Sequence, residues 1–181
     1  MVQYVPMRPL ATDTHDFPSI RKDGKIYVDK TMFMHRLISD PNSKIFFISR
    51  PRRFGKSLTV SAFKALFQGR RELFKGLAID ETDWSWEKYP VIHFEFNDLT
   101  TTSVEEFARN LANRVKDRLV EAGYDYDESL SAHENFAKAI GTLSAANGGK
   151  GVAILVDEYD APVGHCLDDI PDGVLQSVCN Q

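Results

Sequence analysis

Residues 45–59 read IFFISRPRRFGKSLT, and the order of residue types in that stretch decides the fold. Ile45-Phe46-Phe47-Ile48-Ser49 is apolar on both faces, the pattern of a buried central strand in a parallel sheet. Arg50–Ser57 contains Pro51 and Gly55 and reads as a loop. Leu58, Ala62, Ala65, Leu66 and Phe67 then recur at helical spacing, with Gly69 placed to close the helix. A strand running into a loop that ends Gly55-Lys56-Ser57, with a helix beginning there, is the context a phosphate-binding loop requires. Backbone N–H groups at such a helix start wrap phosphates, Lys56 reaches the outer ones, and the Ser57 hydroxyl is placed to ligate Mg2+.

The loop departs from the usual one, in which a glycine precedes Gly-Lys-Ser with four residues between. That position is Arg50, followed by Pro51, which has no N–H to donate. A guanidinium can substitute as a phosphate donor; alternatively the loop has lost nucleotide, Gly55 is a turn glycine and Lys56 a surface lysine. Arg52 and Arg53 flank the loop tip, where one contacts the γ-phosphate or a salt bridge closes the loop. Phe54, Gly55, Lys56, Ser57 and Leu58 complete the set read as nucleotide-binding together with the three arginines.

A second stretch matches the first. Val152-Ala153-Ile154-Leu155-Val156 is a fully apolar strand that ends on Asp157-Glu158. In a metal-coordinating strand end Asp157 holds Mg2+ and Glu158 polarises the attacking water, so Glu158 and Lys56 are the catalytic candidates. By itself an acidic pair after a strand is also an ordinary helix cap.

Outward from these two, Lys25–Val28 reads as a short strand and Asp29 as the N-cap of a helix over Lys30–Ile38, with Tyr27 packing beneath. Thr82–Tyr89, with Trp84 and Trp86, is an irregular linker; Val91–Phe96 is a strand; Val104–Ala122 and His133–Ala146 are amphipathic helices; Asn147–Gly151 is a tight connection. Strand–helix alternation with apolar strands implies an α/β protein with a mainly parallel sheet covered on both faces.

The 181 residues carry a net charge of −4 that hides a block structure. Residues 1–43 hold six basic and five acidic groups, residues 44–75 nine basic and one acidic, and residues 76–181 seven basic and twenty acidic. A short positive segment in an acidic chain points to a local anion site rather than a general polyanion surface. No apolar run approaches the roughly 18–20 residues of a membrane span, and no signal pattern opens the chain. Cys166 and Cys179 make no disulfide framework, and with five scattered His they show no metal-ligand spacing. The expectation is a cytoplasmic protein with no membrane partner. The aromatic set Phe63, Phe67, Phe74, Trp84 and Trp86 reads as packing rather than as a stacking platform for single strands.

The stretches GKIYVDKT (24–31), ISRPRRFGKSLTVSAFKALFQGRRELFKGLAI (48–79), YPVIHFEF (89–96) and ILVDEYDAPV (154–163) closely resemble the AAA-ATPase-like family of bacterial and archaeal P-loop proteins. Members carry the Arg-Pro-Arg-Arg-Phe-Gly-Lys-Ser loop, Arg50 and Pro51 included. The resemblance implies a three-layer α/β/α P-loop core, ATP and Mg2+ as cofactors, Gly55, Lys56 and Ser57 on phosphate and metal, and Asp157 and Glu158 on metal and water. It also implies a restriction-type nuclease domain as a frequent C-terminal partner, which brings in nucleic acid. Residues 1–43 are then an N-terminal linker and helix, and 44–181 the first part of an ATPase core. The family's next strand, sensor, lid and arginine finger would lie past Gln181, so the chain is expected to be a fragment whose own hydrolysis is very weak or absent. Two other functions fit the residues. One is a nucleic-acid module using Arg50, Arg52, Arg53, Lys64, Arg70 and Arg71; the other is a protein-interaction scaffold with a degenerate P-loop.

Overall fold

The computed structural model describes residues 8–12, 14–40, 42, 44–51, 54–97 and 104–159. The chain divides into two units, Met1–Tyr89 and Pro90–Gln181.

In the first unit, short polar side chains set the helix starts. Asp16 caps α1 (Phe17–Lys22) by accepting from the Ser19 amide at 2.9 Å, and Pro18 suits the first turn, where an N–H has no partner to lose. Ahead of α2 (Thr31–Ile38) the cap position is Lys30, one residue later than expected, yet Asp29 still serves the helix start. Its Oδ1 accepts from the Thr31 amide at 2.8 Å and the Thr31 hydroxyl at 2.7 Å. Its Oδ2 accepts from the Ala78 amide at 2.7 Å, while the fully buried Thr31 Oγ1 accepts from the Ile79 amide at 3.1 Å. Asp29 and Thr31 thus join α2 to the 3-10 turn Ala78–Glu81.

The long helix of this unit, α3 (Lys56–Phe67), buries Thr59, Ala62, Phe63, Ala65 and Leu66, residues spaced to form one face. It meets α1 through Ser61, whose hydroxyl accepts from the Phe17 amide at 2.9 Å. Gly69 ends it as expected. The Gly69 amide bonds the Leu66 carbonyl at 3.0 Å and the Arg70 amide the Ala65 carbonyl at 3.1 Å, a paired closure that needs a left-handed residue. Gly69 has φ +67, and a Cβ there would lie 2.8 Å from the Trp86 carbonyl oxygen. The irregular 82–89 stretch packs by its aromatics: Phe67 meets Trp84 at 6.4 Å and Tyr89 at 5.9 Å, and Phe74 meets Trp86 at 5.2 Å. Phe17 contacts Phe74 and Tyr27 at 4.9 and 5.0 Å. Burial, with the Asp29 charge adding to it, pushes the Tyr27 phenol up to about 12.

The second unit is a parallel pair with a helical crossover. β1 (Val91–Glu95) pairs with β2 (Ala153–Asp157) in register from Val91↔Ala153 to Glu95↔Asp157. Parallel neighbours need a long return, supplied by α4 (Val104–Glu121) and α5 (Ala132–Ala146). Both helices contribute to a core with β1: Ile92, Phe94, Leu119, Tyr124, Ala139 and Leu143. Ser131 and Glu134 form a capping box at the start of α5. The buried Asn135 fixes the turn before it: its Oδ1 accepts from the Asp127 amide at 2.9 Å, and its amide group donates to the Asp127, Leu130 and Ser131 carbonyls. Gly148 and Gly149, at φ 69 and 77, make the tight return into β2.

Three expectations are corrected. Ile45–Ser49 is not a strand, and Ile45 and Phe47 are 91% and 70% exposed. A strand takes its ladder from neighbours, and among the described residues of the first unit none forms a strand; the Lys25–Val28 stretch is reduced to one bridge, Leu10↔Ile26. Nor is β2 buried on both faces: Ile154 and Val156 are exposed, because the described sheet has two strands and β2 is at its edge.

Replacing Thr31 by Val removes the acceptor of the Ile79 amide and the donor to Asp29 while keeping the volume. It is expected to cost about 1–3 kcal/mol, read as a lower midpoint in urea. Burial raises the Asp29 carboxyl, but hydrogen bonds from the Thr31 side chain and the Ala78 and Thr31 amides, with the Arg21 charge, lower it further, so it sits below its ordinary value. The stabilisation is therefore full above the usual carboxylate pKa and fades as pH falls through the lower folded value. Thermal melts between pH 7 and pH 2 are expected to show this loss, and Asp29→Asn to flatten that part of the profile.

Candidate functional site

The chain enters α3 through Gly55, whose φ of 76 and ψ of 32 place it in the left-handed region that glycine adopts without strain. No atom lies within 4 Å of where its Cβ would be, so the requirement is conformational rather than steric. Gly55 has no side chain to cap the helix, and no acidic residue occupies the first turn. The Thr59 amide reaches the Gly55 carbonyl at 3.0 Å. The amides of Lys56, Ser57 and Leu58, before it, make up the partially positive end of the helix. Among the described residues, no side chain caps this end.

Around it, Lys56, Ser57 and Leu58 are half-buried and Phe54 is exposed. The Phe54 amide bonds the Pro51 carbonyl at 3.3 Å. Arg50 lies across the loop's base: its Nη1 is 3.5 Å from the Thr59 hydroxyl, and its guanidinium carbon lies 5.9 Å from the centre of the Phe33 ring on α2. A cavity of about 290 Å3 adjoins it, lined by Phe33, Leu37, Phe46, Phe47, Ile48 and Arg50 among others. The structure therefore gathers Arg50, Phe54, Gly55, Lys56, Ser57 and Leu58 around one helix start. Arg52 and Arg53 lie outside the described residues. Sequence reasoning does not single out Thr59 or Phe33; the one available signal for Thr59 is its place one helical turn after Gly55.

Asp157 and Glu158 stand at the end of β2 in the second unit. Asp157 is 6% exposed; its carbonyl accepts from the Phe96 amide at 3.2 Å and its Oδ1 from the Glu158 amide at 3.0 Å. Glu158 has φ 52, a left-handed conformation that a residue with a Cβ adopts at a cost. A buried carboxylate followed by a strained acidic residue is an arrangement that folding alone does not favour. Asp160, His165, Cys166 and Cys179 lie outside the described residues.

A strand-and-helix chain with a glycine-led helix start and an acidic strand end is of mixed α/β class. Comparison with known families gives the particular group: the chain belongs to the family described as "Predicted AAA-ATPase", whose model matches residues 11–177. It is 38% identical over 152 residues to a protein of Azotobacter chroococcum mcd 1 named "Uncharacterized protein in vnfD 5'region". That match covers 81% of this chain and 28% of the relative, so the chain spans well under a third of the relative's length. No solved structure matches the chain. Among the described residues no helix is long and apolar enough to cross a membrane.

Replacing Glu158 by Gly removes the left-handed strain and is expected to stabilise the protein by about 1 kcal/mol. Urea denaturation measures it; a loss of stability would show that the Glu158 side chain contributes more to the fold than its backbone costs.

Proposed function

We propose that this chain binds ATP with Mg2+ through the start of α3, as part of a P-loop ATPase core of three-layer α/β/α type that begins near residue 44. The observation that carries this reading is the uncapped helix start at Gly55, flanked by Lys56, Ser57 and Arg50 and free of acidic residues in its first turn. Membership of the AAA-ATPase family adds the nucleotide. In this proposal the amides of Lys56–Leu58 hold phosphate oxygens, the Lys56 ammonium neutralises charge on the outer phosphates, and Arg50 replaces the loop's first glycine as a charged donor. Arg52, Arg53 and Phe54 belong to the same loop.

In the first unit the Ser57 hydroxyl is a hard oxygen donor that suits Mg2+, and in the second unit the Asp157 carboxylate is another. Asp157 fits that role because it is a buried acid whose Oδ1 accepts from the Glu158 amide. Magnesium would offset the phosphate charge; Glu158 would accept a proton from the attacking water. ATP hydrolysis by the whole protein, a C-terminal nuclease-like partner and action on nucleic acid are parts of the same proposal.

The basic segment supports this local reading over a polyanion patch. Arg71 is held by Asp80 at 2.9 Å and packs 5.7 Å from the Trp86 ring, and Arg70 is held by Glu72 at 3.3 Å. Neither guanidinium stands ready for a phosphate backbone.

Calorimetric titration and turnover assays on the full-length protein test the assignment. Lys56→Ala is expected to weaken MgATP binding by about 10- to 100-fold, the loss of one charge-assisted contact. Glu158→Gln is expected to leave affinity within about threefold while lowering kcat by about 100-fold or more. Wild-type turnover in both variants would refute the roles of Lys56 and Glu158.

A further inference from the structure

The Gly55 carbonyl receives two bonds from one residue. The Thr59 amide donates to it at 3.0 Å and the Thr59 hydroxyl at 2.8 Å. That carbonyl shares a rigid peptide plane with the Lys56 amide, and in a trans peptide the C=O and N–H point in opposite directions. Holding the Gly55 oxygen toward the body of the helix therefore turns the Lys56 N–H outward, away from α3. The same hydroxyl accepts from Arg50 Nη1 at 3.5 Å, a long bond that joins the first residue of the loop to the first turn of α3. Thr59 is 7% exposed, so water competes little for these contacts.

Resting on the nucleotide-binding reading above, we infer that Thr59 is a positioning residue of the phosphate loop. Its hydroxyl aims the first amide of the anion-binding turn and, with Arg50, closes the loop at the point where the usual first glycine is missing. A threonine that merely back-bonds inside a helix would satisfy its own hydroxyl and do nothing for ligand. The Arg50 contact and the glycine carbonyl at the helix entrance distinguish this one. Arg50 is then tied down by Thr59 and the Phe33 ring, which limits where its charge can sit.

Thr59→Val, Thr59→Ser, Arg50→Ala and the Thr59→Val/Arg50→Ala pair, made in the whole chain, test the inference. Val keeps the volume and loses the hydroxyl; Ser keeps the hydroxyl. Titration with MgATP is expected to show about five- to tenfold weaker binding for Thr59→Val, the loss of a hydrogen bond tied to a charged group. Thr59→Ser is expected to match wild type, and the double variant to lose less than the two single losses combined. Hydrogen exchange, read without ligand, is expected to quicken at the Phe54 and Thr59 amides in Thr59→Val but not in Thr59→Ser, with the last turn of α3 still protected. MgATP binding by Thr59→Val at wild-type affinity would overturn the inference. If the wild-type chain binds no MgATP, the nucleotide reading itself fails. Exchange then decides the positioning role: unchanged rates at Phe54 and Thr59 in Thr59→Val overturn it, and faster rates restored by Ser uphold it.

Discussion

The left-handed backbone at Gly55 is the constraint on which the candidate site depends. At φ 76 it turns the chain from the loop into α3 and sets the direction of the peptide that follows. Everything that makes α3 rigid transmits that direction. Ser61 ties the helix to α1, the Gly69 closure ends it against Trp86, and the buried face from Thr59 to Leu66 seats it in the core of the first unit. An anion site made of backbone amides is only as well defined as the helix carrying it. Here that helix is held at its middle, at its C-terminal end and along one face.

The acidic strand end depends on a different device. Register in the second unit comes from β1, so that Glu95 lies beside Asp157, and the crossover helices bury β1 more completely than β2. Edge position leaves Ile154 and Val156 open, while Asp157 at the strand's end is buried. The Glu158 backbone then takes a conformation that only a surrounding structure can impose.

Much of this was legible in the residues. Helical periodicity places α3, α4 and α5 to within a residue or two, because each carries an amphipathic pattern, and Gly69 marks the stop of α3; the Ser131–Glu134 capping box before α5 emerges only in the structure. Strands were legible only where a partner exists. Val91–Glu95 and Ala153–Asp157 pair with each other, whereas Ile45–Ser49 has an equally apolar sequence and forms no strand. Composition states what a segment can bury, and pairing depends on what lies beside it. Within the site, the Gly55-Lys56-Ser57 placement follows from local spacing. The Thr59 contact with Arg50 and the strain at Glu158 arise from three-dimensional closure and backbone angle, which spacing does not encode.

The central claim is that the first-turn amides of α3 receive phosphate. Backbone amide chemical shifts, recorded while the chain is titrated with MgATP and separately with adenosine and Mg2+, test it most directly. The account predicts saturable shifts concentrated at Gly55, Lys56, Ser57 and Leu58 with MgATP and none there with adenosine. Saturable binding of MgATP that leaves those four amides unmoved would contradict it.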